Sequence, residues 1–215
     1  MRPRHALIAV AMLGFLAPAG PVSGQPALLD SVWVAYRCRE NNACTKGTAF
    51  HVGDGVFYTN AHVARAETGY GPLMLGRGTP RQELGRGAVL CINNRASLTA
   101  AATPYDIAKV RVDTARARRL PALKFYRWGP VAGLRIRIIG YPGNQWTPVI
   151  AEGTISQRLQ HQVFTFEVDN GIVTRGSSGS PVLTTSGEVV GMVYAEGSGQ
   201  LFATAVNWVL DTACR

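Results

Sequence analysis

Three serines fall within four positions in the stretch TRGSSGSPV, residues 174–182. A serine hydroxyl is a weak nucleophile at its own pKa and becomes a strong one only beside a base that takes its proton. Gly176 and Gly179 bracket Ser178, so the backbone can take conformations closed to other residues and curl around that hydroxyl. Such a curl aims the N–H groups of Gly176 and Ser178 at one point, where they would stabilise a developing oxyanion. Pro181 ends the curl and begins an apolar, strand-like run.

The base should be a histidine, and beyond the first residues there are His51, His62 and His161. His62, in FYTNAHVA, sits where a strand gives way to small residues and a short turn, a rigid mount with one open edge. His51 lies inside a strand, and His161 lies in the polar turn LQHQ. Asp106, in TPYDIAKVRV, stands between a proline turn and an apolar strand, a place where a carboxylate is partly buried. A buried carboxylate is costly without a donor. An imidazole N–H is such a donor, and the pairing would fix the tautomer of His62 and stabilise its charged form. The structural alternative for Asp106 is a turn cap bonded to backbone amides. Asp54 at a hairpin tip and Asp113 after a strand rank below it.

The elements that would carry these residues are short strands separated by turns. SVWVAYRCR, TAFHVGDGVFYTN, GAVLCIN, IAKVRV, LRIRIIGYPG, PVIAEGTISQ, QVFTFEV, PVLTT, EVVGMVYAE and QLFATAV alternate or run apolar, and Gly53-Asp54-Gly55 marks a tight hairpin. Residues 65–87 read as an irregular surface segment around one strand. Only the turn after NAHVARAE and the end, AVNWVLDTAC, look helical. Many short strands in one domain predict an all-β barrel or sandwich.

Residues 1–24 have a basic start (Arg2, Arg4), an apolar stretch from Ala6 to Leu16 and a small-residue exit. They read as a signal peptide cleaved before Gln25, leaving one domain over 25–215. The apolar run is shorter than the ~18 residues of a spanning helix, and no later stretch is longer, so stable membrane insertion is not expected. The expected location is periplasmic or secreted. The formal net charge is +9, but apart from ARARR at 115–119 the arginines are scattered and no nucleic-acid motif accompanies them. Cys38, Cys44, Cys91 and Cys214 form an even set, which in an exported chain favours disulfides. Spacing ranks Cys38 with Cys44 across a hairpin and Cys91 with Cys214 first among the possible connectivities. Zinc is the rival, without a CxxC pair or HxxxH to support it.

TNAHV, DIAKVRV and GSSGSPV resemble the His, Asp and Ser motifs of the chymotrypsin-like (trypsin-fold) serine peptidases, in that family's order. Gly176 to Pro181 fits the form G-x-S-G-[GS]-P, GEVVGMVYAEG resembles the strand after the nucleophile loop, and FATAVNWV resembles the approach to the C-terminal helix. The likeness extends from about residue 31 onwards. An α/β-hydrolase would run Ser–acid–His and place a helix after the serine.

The resemblance implies two six-stranded antiparallel β-barrels with a short C-terminal helix. It also implies an exported serine endopeptidase acting on protein or peptide substrates without metal or organic cofactor. Ser178 would attack, His62 would move the proton, Asp106 would orient His62, and the amides of Gly176 and Ser178 would form the oxyanion hole. Backbone of Tyr194, Ala195 and Glu196 would pair with substrate, and Ile172, Val173, Val193 and Tyr194 would border an apolar primary pocket that takes an aromatic or aliphatic residue. Digestive members carry Asp where this chain has Ser177 and pair it with a new N-terminus. No Ile-Val-Gly-Gly start occurs here, so no such activation switch is expected. The style is closer to bacterial HtrA or glutamyl-endopeptidase domains, without a PDZ domain. Glutamyl endopeptidases have His where Val193 aligns, which argues against acidic specificity. The second functional reading is a peptidase-fold binding module without chemistry. Oligomeric state leaves no signal in the sequence.

Overall fold

The computed structural model describes residues 25–65, 68–93, 105–159, 163–197 and 200–205. Twelve strands carry the fold: β1 (Val32–Cys38), β2 (Cys44–Gly53), β3 (Val56–Thr59), β4 (Met74–Arg77), β5 (Gln82–Ile92), β6 (Ala108–Val112), β7 (Arg135–Gly140), β8 (Val149–Arg158), β9 (Val163–Asn170), β10 (Pro181–Thr184), β11 (Val189–Gly197) and β12 (Gln200–Ala205). They close into two six-stranded antiparallel barrels, in the orders β1-β2-β3-β6-β5-β4 and β10-β11-β12-β9-β8-β7. Closure removes the open edges that a sheet must otherwise protect.

The period-two alternation of each strand fills the barrels. Trp33, Ala35, Ala49, Phe57, Leu75, Val110 and Val112 point into the first barrel, and Ile136, Ile138, Phe164, Phe166, Val182 and Ala203 into the second. The seam between barrels has its own apolar cluster, in which Val32, Val34, Tyr36, Phe50 and Tyr58 meet Ile139, Tyr141, Leu183 and Met192. β1 serves both sides: alternate residues enter the barrel and the seam. Its near-complete burial follows, and so does its reading as a continuous apolar run.

The structure departs from the sequence reading at several places. Residues 65–87 hold β4 and the start of β5 rather than one strand, paired from Met74↔Arg86 to Arg77↔Gln82. Two short helices were not expected, α1 (Gln25–Asp30) and α3 (Ala115–Arg118), and the helical turn expected after NAHVARAE falls instead within it, as α2 (Ala61–Ala64). The expected C-terminal helix, His161 and Cys214 lie outside the described residues. Cys38 and Cys44 are joined across the β1–β2 hairpin, and Cys91 is also disulfide-bonded. Among the described residues no helix is long and apolar enough to cross a membrane.

His51 is a structural group, as its position within a strand suggested. It is fully buried on β2, and its Nε2 accepts from the Gly55 N–H at 3.1 Å. The proton must therefore sit on Nδ1, which donates to the Pro121 carbonyl at 3.0 Å. This ties the hairpin and the inter-barrel connection to β2 in one neutral imidazole. Burial lowers the pKa of His51 below 6.5. The neutral form is thus favoured in the folded state, and this stability is fully present above pH 6.5. It is lost as pH falls from there through the folded value. We expect His51→Ala to cost about 2–4 kcal/mol, because both partners are left unpaired. Melting curves between about pH 7 and about pH 5 should show a smaller acid-induced loss in the variant than in the parent.

Candidate active site

His62 and Asp106 are brought together by the register of β3 on β6. Thr59 pairs with Ala108, so the residues just after β3 face those just before β6. Asn60 marks the transition: its carbonyl accepts from Ala64 N at 3.1 Å, closing the single turn of α2. Its side-chain Nδ2 donates to the Asp106 carbonyl at 2.8 Å. The Asp106 carboxylate is almost wholly buried, and both of its oxygens are engaged by one residue. Oδ1 accepts from the His62 backbone N–H at 2.9 Å, and Oδ2 lies 2.5 Å from His62 Nδ1. With Nδ1 turned to the carboxylate, Nε2 is left as the imidazole's other working atom. The ring is one-third exposed, with a side-chain relative accessibility of 33%.

The loop of residues 174–180 is built from local turns and from contacts with the first barrel. Ser177 N donates to Thr174 O at 2.9 Å, Ser180 N to Ser177 O at 2.9 Å, and Gly179 N to Val193 O at 2.8 Å. Among the described residues the Gly176 and Ser178 N–H groups have no such backbone partner. Gly176 (φ 94°) and Gly179 (φ 87°) take the left-handed conformation that the motif suggested. Space demands glycine as well, since a Cβ on Gly179 would sit 2.0 Å from the Thr48 carbonyl oxygen and one on Gly176 2.5 Å from that of Tyr141.

Burial separates the three serines. Ser177 and Ser180 are enclosed, at 2% and 0% exposure, while Ser178 is half-buried. Ser177 Oγ accepts from Thr174 N at 3.3 Å, and Ser180 lies against Gly140. Ser178 is the least enclosed of the three. Gly47 links it to the histidine: a Cβ there would meet Val63 Cγ2 at 2.5 Å and the Ser178 carbonyl oxygen at 3.0 Å. The residue following His62 and the backbone of Ser178 thus close on one glycine.

The remaining expected residues divide. Ile172 is exposed at 57%, and Val173 packs on the second barrel's core. Val193 is buried in that core, and its backbone serves the nucleophile loop on both sides, donating to Ser180 O at 2.9 Å and accepting from Gly179 N. Tyr194 is the extra residue of a bulge, since Val193 pairs with Ala203 and Ala195 with Phe202. Its ring is buried near Phe202 rather than lining open space. Burial, with the Asp106 charge as a second cause, pushes its pKa up to about 12 and keeps it neutral. Ala195 and Glu196 pair with Phe202 and Leu201 on β12, and their side chains lie outside the description. The β10–β11 ladder stops at Pro181↔Met192, and beyond Val193, which bonds Gly179 and Ser180, β11 continues past the start of β10. Sequence reasoning missed Asn60, although it stands inside TNAHV. It also missed Thr48 and Lys46, whose contacts lie about a hundred residues away and leave no local signal. Among the described residues no three His, Cys, Asp or Glu side chains cluster as metal ligands would.

Comparison with known proteins agrees with this architecture. The active form of the Rv3671c protease from M. tuberculosis superposes with a TM-score of 0.64 at 19% identity, over 98% of this chain and 92% of that one. The serine endoprotease from Yersinia pestis gives 0.68 at 21% identity, over 89% of this chain and 65% of the other. The HtrA-type protease AlgW with a tripeptide gives 0.65 at 18%, over 85% and 58%. The chain therefore spans less than two-thirds of the last two. At these identities the likeness is one of fold. The family model of the trypsin-like peptidase domain matches residues 47–192, from the glycine beside Thr48 to the strand behind the nucleophile loop. The chain belongs to the trypsin-like peptidase domain family and is, by class, a serine endopeptidase.

Proposed function

We propose that this protein is an exported endopeptidase that cleaves peptide bonds through Ser178, His62 and Asp106. The observation that carries the reading is the buried Asp106 carboxylate, which engages both the ring and the backbone of His62, while Val63 and the Ser178 carbonyl close on the same glycine, Gly47. Ser178 Oγ attacks the substrate carbonyl carbon while its proton passes to His62 Nε2. The carbonyl oxygen becomes an oxyanion received by the Gly176 and Ser178 N–H groups. The imidazolium, stabilised by Asp106, gives its proton to the departing amine as the C–N bond breaks. Water then attacks the acyl-enzyme with His62 again as base, releasing the new carboxylic acid and restoring Ser178.

Substrate backbone would add to the edge of β11 opposite β12 at 194–196, since main-chain pairing gives affinity without regard to side chain. Ile172 and Val173 would border the pocket of the residue preceding the cleaved bond, favouring an apolar side chain. Export is supported by the composition of residues 1–24 and by the Cys38–Cys44 disulfide, which persists in oxidising compartments.

Fluorophosphonate labelling should occur on the parent protein and vanish in Ser178→Ala. A properly folded parent that does not label would point instead to a binding module. Asp106→Asn should keep the fold and lower kcat by about 10⁴, because the wrong tautomer of His62 is then favoured. Gly179→Ala, which drives a Cβ into the Thr48 carbonyl, should abolish labelling and destabilise the protein by more than about 2 kcal/mol, read by thermal melting. N-terminal analysis of exported protein should give a mature chain beginning at Gln25; retention of residues 1–24 would count against cleavage.

A further inference from the structure

Lys46 lies on β2 immediately before Gly47 and reaches out of the first barrel to the β7–β8 connection of the second. Its Nζ donates to the Tyr141 carbonyl at 2.9 Å and to the Gln145 carbonyl at 2.6 Å. The two carbonyls flank a turn closed by Gln145 N–H donating to Pro142 O at 3.2 Å. The other side of the turn touches the nucleophile loop twice. Gly143 N–H donates to Arg175 O at 2.7 Å, and the Tyr141 oxygen occupies the space a Cβ on Gly176 would need. One carbonyl therefore separates the Lys46 ammonium from the Gly176 turn.

Further contacts seat the turn on the first barrel. Gly78 N–H donates to Trp146 O at 2.6 Å, the Tyr36 ring meets Trp146 edge-on at 5.0 Å, and Arg81 lies 5.1 Å from the Trp146 ring centroid. What Lys46 adds is directional. Its two hydrogen-bond partners are neutral carbonyls, and burial lowers its pKa to about 8. A half-buried ammonium with no carboxylate beside it among the described residues is a costly way to fill space, and an apolar side chain of similar length would fill it more cheaply. The cost is offset if the ammonium is needed to hold those carbonyls.

We propose that Lys46 is a positioning residue for the oxyanion site, holding the 141–145 turn against Gly176 so that the Gly176 N–H keeps its aim. The inference rests on the reading of Gly176 and Ser178 as oxyanion donors. An acyl transfer gains most from donors fixed before charge develops. Loss of the strap should therefore weaken transition-state binding more than substrate binding.

The test compares the parent with Lys46→Met, which keeps length and loses the donors, and Lys46→Arg, which keeps charge and donors. On a fluorogenic peptide, Lys46→Met should lower kcat about ten- to hundredfold with KM within about twofold. Affinity for a peptidyl aldehyde, which mimics the tetrahedral intermediate, should fall by the same factor as kcat/KM. Lys46→Arg should recover most of both. Amide hydrogen exchange on the resting proteins should be faster in Lys46→Met over residues 141–146 and 175–179 and unchanged in β6. Should Lys46→Met fail to fold, Lys46→Leu, which also lacks the donors, enters the same measurements. Parent-like aldehyde affinity and exchange, or a loss confined to KM, would overturn the proposal. A parent without Ser178-dependent hydrolysis would instead overturn the peptidase mechanism, and the exchange measurement would still decide whether Lys46 holds the turn.

Discussion

Thr48 is a fully buried residue of the first barrel, and each of its polar atoms is engaged, the N–H and the hydroxyl by residues of the second half of the chain. Its N–H donates to the Ser178 carbonyl at 2.7 Å and its hydroxyl donates to the Gly176 carbonyl at 3.0 Å. The same hydroxyl accepts from Tyr141 N–H at 3.3 Å, and the Thr48 carbonyl accepts from the Thr59 hydroxyl at 2.7 Å. His62 follows β3 and Ser178 precedes β10, so the two arrive from different barrels. This junction sets their separation. Each bond is worth about 1 kcal/mol net when made, but an orphaned buried partner costs about 1–3 kcal/mol. Geometry is thus enforced by the penalty for leaving it. The glycines on either side follow from the same constraint: Gly47 admits Val63 and the Ser178 carbonyl together, and Gly179 admits the Thr48 carbonyl.

A junction of this kind holds only if the barrels cannot slide past each other. The apolar seam opposes sliding without direction, because burial rewards area rather than alignment. Tyr141 supplies the direction. Its ring is wholly enclosed in the seam, and its hydroxyl donates to the Val32 carbonyl at 2.7 Å. Burial raises its pKa, so the hydroxyl remains a donor. The residue that fixes barrel alignment also places its backbone oxygen beside Gly176 and Lys46. Barrel docking and the shape of the nucleophile loop are therefore mechanically connected.

Much of this was legible in the chain, for physical reasons that differ by element. Strands buried on one face announce themselves by alternation, and the Gly53-Asp54-Gly55 hairpin by its left-handed residues, all three with positive φ. The histidine, acid and serine motifs were legible because each needs small or turn-forming neighbours at fixed offsets. Residues 65–87 were read as holding one strand, and the early start of β5 at Gln82 was hidden by glycines that weaken a strand pattern even where Gly76 pairs with Glu83. α3 hid within a basic run, although Thr114 caps it by accepting from Ala117 N at 3.1 Å. Tyr194 was placed at a pocket wall by resemblance to the family, and the bulge that sets its ring near Phe202 has no sequence signature. Thr48 and Lys46 act on residues far along the chain, which a local reading cannot reach.

Ser177 shows how the loop can be ordered by the folded domain itself. A carboxylate at this buried position would need a cationic partner brought to it, since an unpaired buried charge is prohibitive. A hydroxyl needs only a nearby backbone group. Ser177 finds both of its local partners in Thr174, receiving that residue's N–H on Oγ and giving its own N–H to the carbonyl. Its carbonyl then takes the Ser180 N–H, so two consecutive turns share one residue with Ser178 between their ends. Thr48 and Val193 grip the result from opposite sides. Every one of these bonds lies among residues 48–193, and together they hold the curl around Ser178 without a buried ion pair at Ser177.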